Sequence, residues 1–168
     1  MNFEIKEIAD ENEKSGICER VLRALPDWFG NEDAIVNYIA EVKKTPLFAA
    51  YAPDGFAGFA TVKEHNEYTA EVCVMGVLTG YHRNGIGTGL ISRCEKFCAE
   101  TGKDFLTVKT LDASREDAGY AGTRAFYFAA GFRPLETFPL FWDKDNPCLF
   151  LAKYLGHNKT KSTRELIK

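Results

Sequence analysis

The sequence predicts one mixed α/β domain, and three observations support this prediction. The chain has 168 residues, which is a usual length for a single domain. Hydrophobic residues make up 45% and charged residues 27%, a globular balance that excludes a disordered or collagen-like chain. Segments of strand and helix periodicity follow one another without a repeat or a linker. We expect a domain over residues 1–155 and a polar tail over residues 156–168.

The first half of the chain predicts a strand, two helices and then three strands. Residues 3–8 alternate apolar and charged side chains, which is typical of a strand. Apolar residues at helical spacing predict a first helix that Pro26 ends and a second helix that begins after Asn31. The three strands are predicted at 47–52, 56–63 and 69–78. Gly76 lies inside the last of them, and an interior glycine often marks a bulge.

The second half of the chain predicts two helices separated and followed by strands. A loop leads into a helix over 86–100, which carries one apolar stripe and is closed by Gly102. An aromatic-rich helix over 121–130 ends at Gly131. The strands of this half are predicted at 105–109, 132–137 and 148–154.

Charge and cysteine usage limit the class of protein. The 21 basic and 24 acidic residues give a net charge of −3, which disfavours a nucleic-acid-binding protein. Five cysteines at irregular spacing argue against a disulfide framework and favour a reducing, cytoplasmic setting. The N-terminal residues do not form a signal peptide, and no apolar run reaches the length of a membrane span. We therefore expect a cytoplasmic protein without a nucleic-acid or membrane partner.

The loop before the helix at 86–100 carries the strongest chemical signal. Its sequence over residues 82–88 is His-Arg-Asn-Gly-Ile-Gly-Thr, and it follows a strand. Closely spaced glycines admit a ligand to the backbone, the amides of a helix start bind an anion such as phosphate, and Arg83 adds charge. The alternative is a tight turn without a ligand. A Rossmann site needs a third glycine where Leu90 stands, and a P-loop needs a Gly-Lys-Ser/Thr sequence that is absent.

This loop, together with Phe126-Tyr127 and Gly131-Phe132, resembles the GNAT N-acetyltransferase superfamily. The likeness extends over residues 3–154 in the family's order of elements, and residues 25–30 and 142–148 resemble a bacterial subgroup of acetyltransferases with unassigned acceptors. The resemblance implies a mostly antiparallel central sheet of about seven strands, flanked by about four helices. It also implies acetyl-CoA as the acyl donor and no metal.

The resemblance implies where the acyl donor binds. The expected contacts are Gly76, Val77, Leu78, His82, Arg83, Asn84, Gly85, Ile86, Gly87, Thr88 and Tyr127. Four positions depart from the family pattern: His82 stands where Gln or Arg is usual, Thr79 where Pro is common, Tyr120 where Asn is frequent, and Thr123 where Ala is usual. Because loop amides hold the pyrophosphate, we expect His82 to affect donor binding little. By the same resemblance, Tyr120 in place of Asn puts one side-chain contact to the pantetheine arm in doubt.

An amine must be neutral to attack a thioester, so a base is expected near the acceptor. Glu71, in the strand before the loop, matches a family position where a Glu contacts a water, and we interpret it as that base. The alternative is a strand glutamate that faces solvent. Side chains of the adjacent turn are weaker candidates, namely His65, Glu64 and Glu67.

The remaining catalytic groups are those that the tetrahedral intermediate requires as it forms and breaks down. Its oxyanion needs a hydrogen-bond donor, which a backbone amide freed by a bulge near Gly76 and Val77 would supply. Tyr127 matches the family's acid, which protonates the leaving thiolate. An aromatic-rich helix is more often core packing, and that alternative stays open for Tyr127.

The acceptor is expected to be a small-molecule or peptide amine. The acceptor wall is predicted from the aromatic residues Trp28, Phe29, Tyr38, Phe138, Phe141 and Trp142. Packing of a lid onto the core is the alternative for them. An acidic loop with Asp112, Glu116 and Asp117 could attract a cationic amine, or be a solvated loop.

Two other classes of function remain as alternatives. A degenerate acyl-CoA-binding sensor would keep the fold and lack turnover, whereas a nucleic-acid-binding module would need a basic face. Cys94 and Cys98 lie on a buried helix stripe and are interpreted as core, while Cys73 could face the cleft. A homodimer is an open alternative to a monomer.

Overall fold

The computed structural model describes residues 2–156 and contains one seven-stranded sheet flanked by four α-helices. The helices are α1 (Glu11–Arg23), α2 (Glu32–Glu41), α3 (Ile86–Thr101) and α4 (Ala118–Ala129). The strands are β1 (Glu4–Ile8), β2 (Leu47–Ala52), β3 (Gly55–Glu64), β4 (Thr69–Val77), β5 (Phe105–Leu111), β6 (Arg133–Asp143) and β7 (Asn146–Tyr154). Across residues 2–156, no helix is long and apolar enough to cross a bilayer. Apart from Gly156, the predicted tail lies outside the described residues.

The sheet order is β1-β2-β3-β4-β5-β7-β6, and only the β4–β5 pair is parallel. These two central strands pair only over residues 69–72 of β4 and 105–108 of β5. Beyond Val72, β4 continues to Val77 and β5 continues to Leu111 without pairing with each other. The sheet therefore opens along its middle, and the backbone of β4 is left accessible from the β5 side.

Two hydrophobic clusters hold the helices to the sheet. One cluster joins buried residues of α1 and α2, such as Val21 and Ile35, to β2, β3 and β4. The other joins α3 and α4 to the sheet and includes Leu90, Cys94 and Cys98. Both cysteines are fully buried, so the prediction that they belong to the core is confirmed.

Two element boundaries differ from the sequence prediction for identifiable reasons. Helix α4 begins three residues earlier than predicted, because the Asp117 carboxylate accepts a hydrogen bond from the Tyr120 amide at 2.9 Å and caps the helix. Strand β6 extends to Asp143 although Pro134 and Pro139 interrupt the strand pattern. It lies at the sheet edge, where a missing N–H donor is tolerated.

The bulge in β4 lies three residues before the predicted position. Thr61 of β3 is opposite Val74 whereas Val62 is opposite Val72, so Cys73 is the extra residue. Gly76 pairs regularly with Phe59, and the prediction of a bulge at Gly76 and Val77 is wrong. The glycine is required for packing, since a Cβ there would lie 2.6 Å from Val21 Cγ1 of α1.

Candidate active site

A cleft of about 1260 Å³ begins where β4 and β5 separate. It is bordered by the α1–α2 connection, the start of α3, and helix α4. Of the predicted donor contacts, the structure brings together Gly76, Val77, His82, Arg83, Gly85, Ile86, Gly87, Thr88 and Tyr127. Leu78 and Asn84 lie outside this lining. The Leu78 amide is bonded to the Ala57 carbonyl at 2.9 Å, and the Asn84 side chain donates to the His82 carbonyl at 3.2 Å.

Among the α-helices of residues 2–156, only α3 begins without a side-chain cap. Helices α1, α2 and α4 are capped by Asp10, Asn31 and Asp117, whereas α3 begins at Gly85 with a φ of 82°. The first intrahelical bond of α3 runs from the Gly89 amide to the Gly85 carbonyl. The preceding amides, at residues 86–88, therefore have no partner within the helix and produce a positive end that favours an anion.

Tyr127 lies inside the cleft lining and is almost completely buried, at 7% exposure. Its ring contacts Phe126 and Phe132, with ring centroids 5.2 and 5.6 Å away. Burial raises the pKa of the Tyr127 hydroxyl above its ordinary value, because a phenolate would be desolvated there. The hydroxyl is therefore a neutral proton donor at physiological pH.

Glu71 is buried and ion-paired, so the alternative of a solvent-facing strand glutamate is wrong. Lys109 Nζ lies 2.7 Å from both carboxylate oxygens, and His65 Nε2 lies 2.5 Å from Oε2. The carboxylate borders a side pocket of about 350 Å³, which shares Cys73, Lys109 and aromatic lining with the main cleft. Glu71 therefore reaches the main cleft only through this side pocket.

Most of the predicted acceptor wall lines the cleft. The residues that do so are Trp28, Phe29, Tyr38, Phe141 and Trp142. Phe141 and Trp142 are 53% and 43% exposed, so they do not pack as a lid onto the core. Burial raises the pKa of Tyr38 to about 12. Phe138 lies outside the lining and packs against Phe141 and Phe150.

Of the three acidic residues in the loop after β5, only Asp117 lines the cleft. Asp112 lies outside the cleft lining, where it accepts hydrogen bonds from the Ser114 amide at 2.9 Å and Thr137 Oγ1 at 3.0 Å. These bonds, led by the one from Ser114, lower the pKa of the Asp112 carboxyl. Glu116 is also outside, and Asp117 lines the cleft but caps α4.

The sequence of the chain identifies its family. A model of the acetyltransferase (GNAT) family matches residues 19–132, a span that runs from α1 past the end of α4 and includes the cleft. The chain belongs to the GNAT acetyltransferase family. No curated protein matches the sequence.

Solved GNAT structures share this fold over nearly their whole length. A GNAT-family protein from Desulfovibrio desulfuricans has a TM-score of 0.78 at 17% identity, covering 92% of this chain and 99% of its own. A GNAT acetyltransferase from Elizabethkingia anophelis, with acetyl-CoA bound, has a TM-score of 0.70 at 16% identity, covering 91% and 98%. The ribosomal-protein-S18-alanine N-acetyltransferase from Escherichia coli has a TM-score of 0.73 at 15% identity, covering 95% and 98%. The predicted fold class is confirmed.

Two polar residues of this GNAT cleft, Thr110 and Lys109, were not predicted from the sequence. Thr110 Oγ1 is buried in the cleft lining and has no hydrogen-bond partner among the described residues. Lys109, which precedes it on β5, holds the Glu71 carboxylate. No sequence signal distinguished them, because Lys109 was the last residue of the predicted strand and Thr110 lay just beyond it.

The cysteines of this GNAT protein are all free thiols. Cys73, at the bulge, lines both pockets and contacts Thr61 Oγ1 at 2.8 Å. Burial raises the pKa of the Cys73 thiol, which disfavours a nucleophilic thiolate. Residues 2–156 contain no group of three or more His, Cys, Asp or Glu side chains that could hold a metal ion.

Proposed function

We propose that the chain is an N-acetyltransferase that moves the acetyl group of acetyl-CoA to a primary amine by direct attack in a ternary complex. One observation carries the proposal: an anion-binding helix start, a neutral buried Tyr127 and a side pocket with Glu71 all meet where β4 and β5 separate. Each of these groups fits one requirement of acyl transfer, as the following steps describe.

The acyl donor fits the part of the cleft between α3 and β4. The free amides of residues 86–88 and the Arg83 guanidinium would hold the pyrophosphate. The pantetheine arm contains two amides, which can pair with the open edge of β4 beyond Val72 and with the unpaired Thr110 hydroxyl. The GNAT neighbour from Elizabethkingia anophelis, which has acetyl-CoA bound, supports this assignment.

The acceptor amine must lose a proton before it attacks. A lysine-like amine with a pKa near 10.4 is neutral in only about one molecule in a few thousand at pH 7. Glu71 accepts that proton through water in the side pocket, because its carboxylate does not line the main cleft. His65, which is exposed and bonded to Glu71, then offers a path from the carboxylate to solvent.

Formation and collapse of the tetrahedral intermediate use the backbone amides of β4 and the Tyr127 hydroxyl. Strand β4 does not pair with β5 beyond Val72, so amides of residues 73–77 that face the gap are available to the oxyanion. The new C–N bond forms, the C–S bond breaks, and Tyr127 donates its proton to the departing thiolate. The proton taken up at Glu71 passes to solvent and Tyr127 is reprotonated, so the amine loses one proton and the thiol gains one.

Release of the coenzyme A thiol, measured across a panel of primary amines, tests the proposed function. An N-acetyltransferase releases thiol only in the presence of an accepted amine, and the acetylated amine accumulates at the same rate. A degenerate sensor would bind acetyl-CoA in a calorimeter and release no thiol with any amine. That outcome would contradict the proposal.

Replacing Thr88 with Glu is expected to weaken acetyl-CoA binding by about tenfold relative to Thr88→Gln. Thr88 is an exposed residue in the first turn of α3 and lines the cleft. A carboxylate there repels the pyrophosphate but suits the positive end of the helix, so the thermal midpoint should not fall. Calorimetric titration and thermal unfolding of both variants measure the two effects. Equal affinities of the two variants would place the anion elsewhere.

A further inference from the structure

Trp28 is fixed to helix α4 by two hydrogen bonds. Its Nε1 donates to Thr123 Oγ1 at 3.1 Å, and its carbonyl accepts from the Tyr120 hydroxyl at 2.7 Å. Both partners belong to α4 and lie three residues apart in it. The two hydrogen bonds therefore attach the α1–α2 connection to α4.

Trp28 also contacts the donor-binding loop. Its indole meets the His82 imidazole edge-on, with ring centroids 6.1 Å apart and the planes at 78°. His82 Nε2 lies 2.7 Å from the Val77 carbonyl. A carbonyl only accepts, so Nε2 carries the proton in this arrangement. A continuous series of contacts thus crosses the cleft from α4, through Trp28 and His82, to the last residue of β4.

This series of contacts overlaps the edge of β4 along which the acyl donor is proposed to bind. Val77 ends the segment of β4 that is open toward β5, and its carbonyl is already taken by a side chain. An acyl-CoA arm that pairs with this edge competes with His82 for the carbonyl. Trp28 backs His82, and Trp28 and Phe29 form part of the acceptor wall.

We propose that Trp28 is a positioning residue that links the two substrates: its contact keeps His82 on the Val77 carbonyl, and an acyl-CoA arm that takes this carbonyl releases His82 from Trp28. The inference rests on the proposed function, because it assumes that acyl-CoA binds along β4. By reciprocal linkage, contacts that favour the donor-free arrangement oppose donor binding, and their removal strengthens it. The same contacts hold the acceptor wall, so their removal weakens acceptor binding.

Replacing Thr123 with Ala removes the indole hydrogen bond without altering Trp28. The expected result is an acetyl-CoA Kd about threefold lower and a KM for the amine about threefold higher, since one hydrogen bond is worth that order in an equilibrium constant. If the Thr123 hydroxyl had a merely structural role, its loss would weaken the binding of both acetyl-CoA and the amine. Thr101→Ala is the matched control, because Thr101 makes a comparable hydroxyl bond to its own helix backbone in α3, away from the cleft. Donor affinity that falls in Thr123→Ala would overturn the proposal.

Tryptophan fluorescence tests the same inference without turnover. The chain has two tryptophans, and Trp142 is 43% exposed, so Trp142→Phe removes little packing and leaves Trp28 as the sole emitter. We expect coenzyme A to shift the Trp28 emission saturably, with a midpoint equal to the calorimetric Kd. Binding of coenzyme A without a change in emission would overturn the link and leave the proposed function intact. Absence of coenzyme A binding would overturn both.

Discussion

Replacing Tyr127 with Phe is expected to lower kcat by about 100-fold and to leave the acetyl-CoA Kd within about twofold of the wild-type value. The hydroxyl acts on the leaving thiolate, which has a reference pKa near 8.5, so its loss affects the chemical step rather than donor binding. Fold stability should not fall, because Phe keeps the ring contacts of Tyr127 with Phe126 and Phe132. Single-turnover rates and calorimetric titration measure the two quantities separately.

Two comparisons make the Tyr127 experiment decisive. Tyr154→Phe removes a phenol that is 61% exposed and outside the cleft, and its kcat should match the wild type. Burial raises the pKa of Tyr127, so the acid remains protonated and the wild-type kcat should not decline through Tyr127 between pH 7 and about 9.5. An unchanged kcat in Tyr127→Phe would remove this residue from the mechanism.

Replacing Glu71 with Gln is expected to lower kcat/KM by about 100-fold and to reduce the free energy of unfolding by about 2 kcal/mol. The first effect comes from losing the proton acceptor. The second comes from Lys109, whose side chain is only 23% exposed and would lose the carboxylate that lies 2.7 Å from its ammonium. Urea denaturation and initial rates with any accepted amine measure the two effects.

The double variant Glu71→Gln/Lys109→Met separates the catalytic role from the structural one. Removing both charges eliminates the unpaired ammonium, so most of the lost stability should return. The rate should stay low because the proton acceptor is still absent. Recovery of the rate together with stability would show that Glu71 acts only by holding Lys109.

The elements and the glycine-containing turn before α3 could be predicted because local patterns determine them. Alternating side chains marked β1, a capping residue marked the start of α2 at Asn31, and closely spaced glycines marked the start of α3. These signals depend on neighbouring residues in the chain, so they can be recognised without knowledge of the tertiary structure. The family resemblance then placed Glu71 and Tyr127 near the same cleft.

The features that escaped prediction depend on contacts between distant segments. The bulge falls at Cys73 because of the register of β4 against β3, and Gly76 is explained instead by the approach of Val21 from α1. The ion pair of Glu71 with Lys109 joins β4 to β5, and the bond from Trp28 to Thr123 joins the α1–α2 connection to α4. No local pattern encodes such pairs.

Initial rates with the amine and acetyl-CoA varied together test the central claim of direct transfer most directly. Direct attack in a ternary complex predicts double-reciprocal lines that intersect, and no acetylated protein after acetyl-CoA is added without an amine. Parallel lines, together with an acetyl group on Cys73, would show a covalent intermediate. That result would contradict the account, which has a half-buried, protonated Cys73 and a thioester that the amine attacks directly.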